Sequence, residues 1–152
     1  MVTKTPKKIA KSASSLYVLI DIANVTFANT KNGVPLFENY LVIKHKIENE
    51  FPGCSIVAIA DARLQYVIDD ANALEALDEL YTAPAGERAD DYIIAFAQNN
   101  PSSLIISNDR FREYPLANSF RDRIIRYMIV EEQAILSPRT TNSLVLVKNE
   151  VA

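Results

Sequence analysis

The sequence contains very few of the residues that build disulfides, zinc sites and phosphate-binding loops. Cys54 is the one cysteine and His45 the one histidine in 152 residues. These two residues cannot build a disulfide framework, a Cys/His zinc site or a histidine-based catalytic triad. The three glycines, Gly33, Gly53 and Gly86, are too far apart for a G-x-G-x-x-G turn or a P-loop. Any bound metal must therefore be held by oxygen ligands, which favours Mg²⁺ or Mn²⁺.

The chain also lacks a strong charge excess and a long apolar run. Its formal net charge is −3, so no overall basic field indicates a polyanionic partner, although a cation bound among carboxylates would reverse the sign locally. The longest apolar stretch near the N-terminus, Leu16–Ile20, is far too short to cross a bilayer or to serve as a secretory signal. We therefore expect a cytoplasmic protein without a membrane partner.

Continuous apolar runs predict strands that are buried on both faces, as in a parallel sheet. The runs are residues 16–22 (LYVLIDI), 55–60 (SIVAIA), 103–107 (SLIIS) and 123–130 (RIIRYMIV), with a further edge strand predicted at 143–147 (SLVLV). Residues 1–15 carry four lysines without apolar periodicity, which predicts a flexible basic tail. Residues 16–152 are then expected to form a single domain.

Apolar side chains at helical spacing lie between these runs and predict helices. The stripes are Leu36, Tyr40, Ile43, Ile47 and Phe51 in the first helix, and Val67, Ala71, Leu74, Leu77 and Tyr81 in the second. A third helix is predicted for residues 89–100 (ADDYIIAFAQNN), with carboxylates in its first turn. Strands that alternate with helices predict a three-layer α/β/α fold with a central, mostly parallel sheet.

Polar side chains follow the predicted strands at the point where each strand ends. Asp21 and Asn24 follow the first strand, Asp61 the second, Asn108 and Asp109 the third, and Asp90 and Asp91 open the helix before the third. Ligands of parallel α/β sheets bind beyond the carboxyl ends of the strands, so these side chains should converge. Gathered carboxylates repel one another unless a cation lies among them, and the pattern therefore predicts a Mg²⁺ or Mn²⁺ site.

Each acidic residue also has a purely structural interpretation. Asp21 could cap a turn, Asp90 and Asp91 are common helix-start residues, and Asp61 is better explained as a turn or cap residue. The joint pattern favours the metal site. The segment DIANV also resembles the D-x-D start of haloacid-dehalogenase-type phosphatases, but Ala23 stands where the second aspartate is needed.

Three motifs, in chain order, resemble those of PIN-like nucleases of the NYN group, and in particular the Regnase (MCPIP-type) endoribonuclease domain. The motifs are VLIDIANV (18–25), ADDYIIAFA (89–97) and IISNDRFREY (105–114), and RIIRYMIV follows them. The resemblance covers about Leu16 to Val130, and its most specific part is S-N-D-R-F-R-E after an apolar strand. It implies the PIN-like form of the α/β/α fold.

The resemblance also implies roles for individual residues. The acidic site would comprise Asp21, Asp90, Asp91 and Asp109, with Asp21, Asp91 and Asp109 as the metal ligands. Asp90 stays open as the alternative to Asp91, because adjacent helical residues point about 100° apart. Asn24 would orient the substrate or a metal-bound water. Asn108 would shape the turn, and Glu113 stands where the family has a further aspartate.

The activity implied by the resemblance is that of a metal-dependent endoribonuclease, which hydrolyses phosphodiester bonds of single-stranded RNA with Mg²⁺ or Mn²⁺ and leaves a 5′-phosphate. Four basic residues flank the acidic rim and are predicted phosphate contacts: Arg63, Arg88, Arg110 and Arg112. Similar domains often pair, so we also expect a homodimer. The alternative is a PIN-like module that binds RNA or protein without cleaving.

Overall fold

A five-stranded sheet organises the chain. The computed structural model describes residues 16–138, and its sheet strands are β1 (Tyr17–Asp21), β2 (Ser55–Ala60), β3 (Leu80–Thr82), β4 (Leu104–Ile106) and β5 (Ile124–Ile125). Their order is β3-β2-β1-β4-β5, and every neighbouring pair is parallel. The predicted parallel sheet is confirmed. The predicted basic tail at 1–15 and edge strand at 143–147 lie outside the described residues.

Helices cover both faces of the sheet. They are α1 (Ile22–Thr26), α2 (Phe37–Glu50), α3 (Leu64–Val67), α4 (Ala71–Glu75), α5 (Ala89–Asn99) and a 3₁₀ helix (Pro115–Arg123) that is kinked at Phe120. Val18 and Ile20 pack on the face of α1, α2 and α4, whereas Leu19 packs on the face of α5 and the 3₁₀ helix. Because successive strand residues point to opposite faces, two covered faces require the continuous apolar runs in the sequence. None of the described helices has the length and apolarity to cross a membrane.

The strand order places a topological switch point between β1 and β4. From β1 the chain moves to β2 and then to β3 on one side, and it returns to β4 on the other side of β1. Crossover connections that leave in opposite directions open a crevice beyond the carboxyl ends of the two central strands. The residues that follow β1 and β4 therefore lie beside that crevice.

The second predicted helix is wrong as a continuous element. Val67 ends α3, Ala71 begins α4, and Tyr81 lies in β3 rather than in a helix. A new helix begins because the Asp70 carboxylate accepts a hydrogen bond from the backbone N–H of Ala73, at 3.0 Å. Strand β3 then pairs with the free edge of β2 in the register Ile59↔Tyr81, so long-range pairing overrides the local helical spacing.

The predicted strand at 123–130 is also divided. Its first part is β5, whereas β6 (Tyr127–Val130) forms a separate antiparallel hairpin with β7 (Gln133–Leu136). The Asn108 side chain makes two hydrogen bonds to the backbone of Tyr127, both at 3.0 Å. Its Nδ2 donates to the Tyr127 carbonyl, and its Oδ1 accepts from the Tyr127 N–H. The chain therefore leaves the main sheet after β5.

Candidate functional site

A cleft of about 610 Å³ opens at the switch point. Three aspartates from separate elements line it: Asp21 ends β1, Asp90 lies in the first turn of α5, and Asp109 follows β4. The other lining residues are Ala23, Asn24, Phe27, Ala28, Asn29, Asn108 and Tyr127. Within the described part of the chain, no lysine or arginine lines this cleft, which we call the acidic cleft.

Asp21 is the most buried of the three carboxylates. Its exposed fraction is 5 %, and its Oδ2 accepts a hydrogen bond from the Ser107 hydroxyl at 2.8 Å. Burial raises the pKa of Asp21 to about 7, the Ser107 hydrogen bond opposes this rise, and the charges of Asp90 and Asp109 add to it. Burial is the main cause of the shift, and the charges of Asp90 and Asp109 reinforce it.

Asp90 and Asp91 point in different directions from α5. Asp90 lines the cleft, and its pKa is raised by burial and by Asp109, against the lowering effect of Arg88. Asp91 is exposed and accepts a hydrogen bond from the Tyr114 hydroxyl at 2.7 Å. Asp91 is not among the residues that line the acidic cleft. The structure therefore brings Asp90, rather than Asp91, together with Asp21 and Asp109.

Asp109 stabilises the turn after β4 as well as lining the cleft. Its Oδ1 accepts a hydrogen bond from the backbone N–H of Phe111 at 2.7 Å, and its own N–H donates to the Ser107 hydroxyl at 3.0 Å. Phe111 has a φ of 49° and a side chain that is only 2 % exposed. Burial of that ring and the Asp109 hydrogen bond hold a backbone conformation that a bulky residue rarely adopts.

A hydrogen-bond network fixes the side chain of Asn24. Its Oδ1 accepts from the backbone N–H of Asn108 at 3.0 Å and from the Tyr127 hydroxyl at 2.7 Å. Burial and the Asp21 charge raise the pKa of Tyr127, so its hydroxyl remains a donor. Because both bonds use Oδ1, the Nδ2 amide is the donor that Asn24 can offer to a ligand in the cleft.

None of the four predicted phosphate contacts is among the residues that line the acidic cleft. Arg63, Arg110 and Arg112 are exposed. The Arg88 guanidinium binds two carboxylates, with Nη2 at 3.0 Å from Asp90 Oδ2 and Nη1 at 2.6 Å from Glu113 Oε2. Glu113 therefore contacts Arg88, and through it supports Asp90.

The structural interpretation of Asp61 and the phosphatase alternative can both be compared with the geometry. The Asp61 carboxylate accepts hydrogen bonds from the backbone N–H groups of Arg63 and Leu64, at 2.9 and 3.1 Å, which makes it a turn residue at the start of α3. Ala23 lines the acidic cleft at the position where a dehalogenase-type phosphatase needs an aspartate. The second finding removes support from the phosphatase alternative.

The donor set of the acidic cleft fits a hard divalent cation. Carboxylate, amide and hydroxyl oxygens are the ligands that Mg²⁺ prefers, and mutual repulsion among the carboxylates would be relieved by positive charge. Between residues 16 and 138, no three His, Cys, Asp or Glu side chains are grouped closely enough to hold an ion by themselves. Mg²⁺ usually keeps several waters and takes only one or two carboxylates. These aspartates would therefore fit a Mg²⁺ ion that keeps part of its water shell.

Sequence reasoning did not identify the supporting roles of Ser107, Tyr127 and Arg123. Ser107 was available as the residue before the Asn-Asp pair, but its hydrogen bond to Asp21 spans 86 residues. Tyr127 belongs to an apolar run that predicts only burial. Arg123 donates to the carbonyl oxygens of Ala97, Asn100 and Ser103 at 2.9–3.1 Å and so holds the connection between α5 and β4. These contacts depend on tertiary packing, and no local pattern marks them.

Similarity to known proteins is detected at the level of structure. No protein-family model and no curated protein sequence matches the chain. Two structures of the nuclear protein-only RNase P 2 of Arabidopsis thaliana match with TM-scores of 0.65 and 0.64 and identities of 18 % and 16 %. The matches cover 81 % and 80 % of this chain but only 30 % and 29 % of those chains. This chain thus spans less than a third of the protein that it resembles.

The likeness shows the fold alone, and the predicted α/β architecture with a central parallel sheet is confirmed. The PIN domain endonuclease Utp24 also matches, with 12 % identity over 80 % of this chain and 90 % of that chain, but its TM-score of 0.41 is too low to carry an argument. The specific resemblance to Regnase-type domains stays a prediction from the motifs.

Proposed function

We propose that this chain is a metal-dependent ribonuclease that hydrolyses phosphodiester bonds of single-stranded RNA at the acidic cleft. The observation that carries the proposal is the convergence of Asp21, Asp90 and Asp109 from three separate segments at the switch point of the sheet. Burial and neighbouring charges raise the pKa values of Asp21 and Asp90, an effect that a cation bound beside them would oppose. Such a cluster is typical of a functional site rather than of a scaffold.

In this proposal, Asp21, Asp90 and Asp109 would hold Mg²⁺ or Mn²⁺, directly or through water. A cation held there would supply Lewis-acid chemistry: it would lower the pKa of a water and offset charge on the phosphoryl group. Asn24 offers its Nδ2 donor to the substrate or to the attacking water. The water oxygen forms a bond to phosphorus, the P–O3′ bond breaks, and the O3′ leaves with a proton, so the products carry a 5′-phosphate and a 3′-hydroxyl.

The exposed arginines around the cleft serve as phosphate contacts away from the reacting bond. Arg63, Arg110 and Arg112 can attract the RNA backbone without sequence preference. Arg88 lies between Asp90 and Glu113, so its first role is to hold Asp90 at the rim. These two contacts use two of the five N–H donors of the exposed Arg88 guanidinium, and the remaining donors are suited to a phosphate.

The alternative function, a PIN-like module that binds without cleaving, is favoured by one contact. The ion pair between Arg88 and Asp90 places a positive charge beside the cleft and can partly replace a cation. However, Arg88 contacts neither Asp21 nor Asp109 in the described hydrogen bonds and ion pairs. Between residues 16 and 138, no ion pair joins the buried Asp21 to a lysine or arginine, and we favour the nuclease.

Cleavage of labelled single-stranded RNA and DNA, with Mn²⁺, Mg²⁺ or EDTA, tests the proposal. We expect cleavage of RNA by the wild type with either metal, none in EDTA, and loss of most activity in Asp21→Asn and Asp109→Asn. Asp122→Asn, an exposed carboxylate outside the cleft, is the matched control and should cleave normally. Equal cleavage by the wild type and both cleft variants would indicate a contaminating nuclease and refute the site. Binding of RNA without cleavage would establish the alternative.

A further inference from the structure

One aromatic side chain of the acidic cleft has no role in the chemistry proposed above. Phe27 lines the cleft, and 44 % of it is exposed. All six phenylalanines lie in the described residues, and the other five are buried or partly buried. A single exposed apolar residue is common on protein surfaces. Phe27 differs because its ring shares a cleft with the three carboxylates.

The sequence of α1 explains why this ring faces the cleft. Ile22, Val25 and Thr26 are buried and form the core side of the helix. Asn24 and Phe27 are three residues apart, which places both on the opposite side. Phe27 follows Asp21 by six residues, so helical rise places their backbone positions about 9 Å apart along the axis of α1.

The backbone that carries Phe27 is held on both sides. The Phe27 N–H donates to the Ala23 carbonyl at 3.1 Å. The Asn39 side chain donates to the carbonyls of the neighbouring residues Thr26 and Ala28, at 3.2 and 2.8 Å. The ring is therefore presented by a fixed segment, which lowers the entropic cost of using it as a binding surface.

Polar groups beside the ring match the edge of a nucleobase. Asn24 and Asn29 line the same cleft, and the Asn24 Nδ2 donor and the Asn29 Oδ1 acceptor are the amide groups suited to a base edge. The Asn29 Nδ2 donates to the Ile129 carbonyl. The Asn108 amide is bonded to the backbone of Tyr127. Aromatic rings stack on bases of any sequence, because every base has a π face. The cleft thus combines a carboxylate side, suited to a cation and a phosphate, with an aromatic side, suited to a base.

We propose that Phe27 forms a nucleobase-binding subsite, on which an unpaired base of single-stranded RNA stacks while the adjoining phosphate lies at the carboxylates. The subsite rests on the proposed function, since it assumes that RNA occupies the acidic cleft. In a duplex, both faces of a base are covered by its neighbours in the stack, so the subsite selects single strands. Phe27 contacts the substrate away from the reacting atoms and contributes equally to the ground and transition states.

Steady-state kinetics and equilibrium binding test the subsite. Phe27→Leu keeps an apolar side chain but removes the π face, and Phe27→Tyr keeps the ring. We expect Phe27→Leu to raise KM for single-stranded RNA by about 5- to 150-fold, the usual effect of losing one stacked base, with kcat unchanged. Phe27→Tyr should retain the wild-type KM. Leu41→Ala, which shortens an exposed apolar residue on α2 outside the cleft, should also have no effect.

Binding in the Asp109→Asn background separates this inference from the proposed function. Fluorescence anisotropy with single-stranded RNA should show the same loss of affinity for Asp109→Asn/Phe27→Leu as the kinetics show in KM. A loss of affinity without any cleavage by the wild type would retain the subsite and reject the nuclease. Cleavage with an unchanged KM in Phe27→Leu would retain the nuclease and reject the subsite. Absence of RNA binding by the wild type would reject both.

Discussion

Replacement of Asp21 by asparagine removes a buried charge and leaves the shape of the side chain nearly unchanged. The wild-type carboxyl has a pKa of about 7 in the folded state, against about 3.9 in an unfolded chain. Between these values the native state binds a proton that the unfolded state has released. The free energy of unfolding of the metal-free protein therefore falls as the pH rises from about 4 to about 7.

The magnitude follows from the width of this window. Each pH unit within this window lowers the free energy of unfolding by about 1.4 kcal/mol, so the full shift of about three units lowers it by about 4 kcal/mol at pH 8. The part that lies between pH 5 and pH 8 amounts to about 2 to 3 kcal/mol. The asparagine side chain in Asp21→Asn carries no charge at either pH, and its amide oxygen can still accept the Ser107 hydrogen bond that Asp21 Oδ2 accepts in the wild type.

Urea denaturation in EDTA, at pH 5 and pH 8, measures this contribution. We expect Asp21→Asn to be more stable than the wild type at pH 8, by at most about 4 kcal/mol, and the difference to shrink at pH 5. Asp122→Asn is the control for loss of an exposed carboxylate. A wild-type protein that is as stable as Asp21→Asn at pH 8, or a difference that does not depend on pH, would refute the assignment of a strained buried charge.

Two further side chains have testable supporting roles. Tyr127→Phe removes the hydroxyl that holds Asn24 Oδ1, and we expect kcat to fall with KM unchanged. Adding Asn24→Ala should not lower kcat further, because both substitutions act on the same positioned amide. If the two losses add, Tyr127 does not act through Asn24. Arg123→Gln leaves backbone carbonyls of the α5–β4 connection without their charged donor. We expect the free energy of unfolding, measured by urea denaturation, to fall by at least about 2 kcal/mol. Arg126→Gln, at an exposed position, should leave it unchanged.

The sequence was sufficient for the elements whose signal is local. The runs at β1, β2 and β4 are continuous and apolar because both faces of the sheet are covered. The stripe from Leu36 to Phe51 predicted α2, and the acidic start at residue 89 predicted α5. The position of the acidic site followed from topology, because the carboxyl ends of parallel strands meet at one edge.

The remaining elements depend on contacts that a local pattern does not contain. Tyr81 fitted a helical stripe, yet it pairs with Ile59 at the edge of the sheet. The β6–β7 hairpin turns at Glu131 and Glu132, which have φ values of 48° and 64°. Tight hairpin turns with two positive φ values usually contain Asn-Gly or Asp-Gly, so the sequence carried no turn signal there. The apolar run at residues 123–130 therefore predicts one strand where the structure has two, β5 and β6.

The choice between Asp90 and Asp91 has the same origin. Both are first-turn residues of α5 with equal helix-start signals. Only packing decides that Asp90 faces Asp109, while Asp91 accepts a hydrogen bond from Tyr114. The metal assignment to Asp91 stays a prediction from the resemblance, and the geometry favours Asp90.

Cleavage of single-stranded RNA by Asp90→Asn and Asp91→Asn, compared in Mn²⁺ at equal concentrations, tests the central claim most directly. The two variants lose the same charge from adjacent positions of one helix, and each carboxylate has one side-chain partner outside the cleft, Arg88 for Asp90 and Tyr114 for Asp91. The main difference between them is that Asp90 lines the cleft. The cleft account predicts that Asp90→Asn loses most of the activity and that Asp91→Asn retains it. Retained activity in Asp90→Asn, or equal loss in both variants, would contradict the claim that Asp21, Asp90 and Asp109 form the active site.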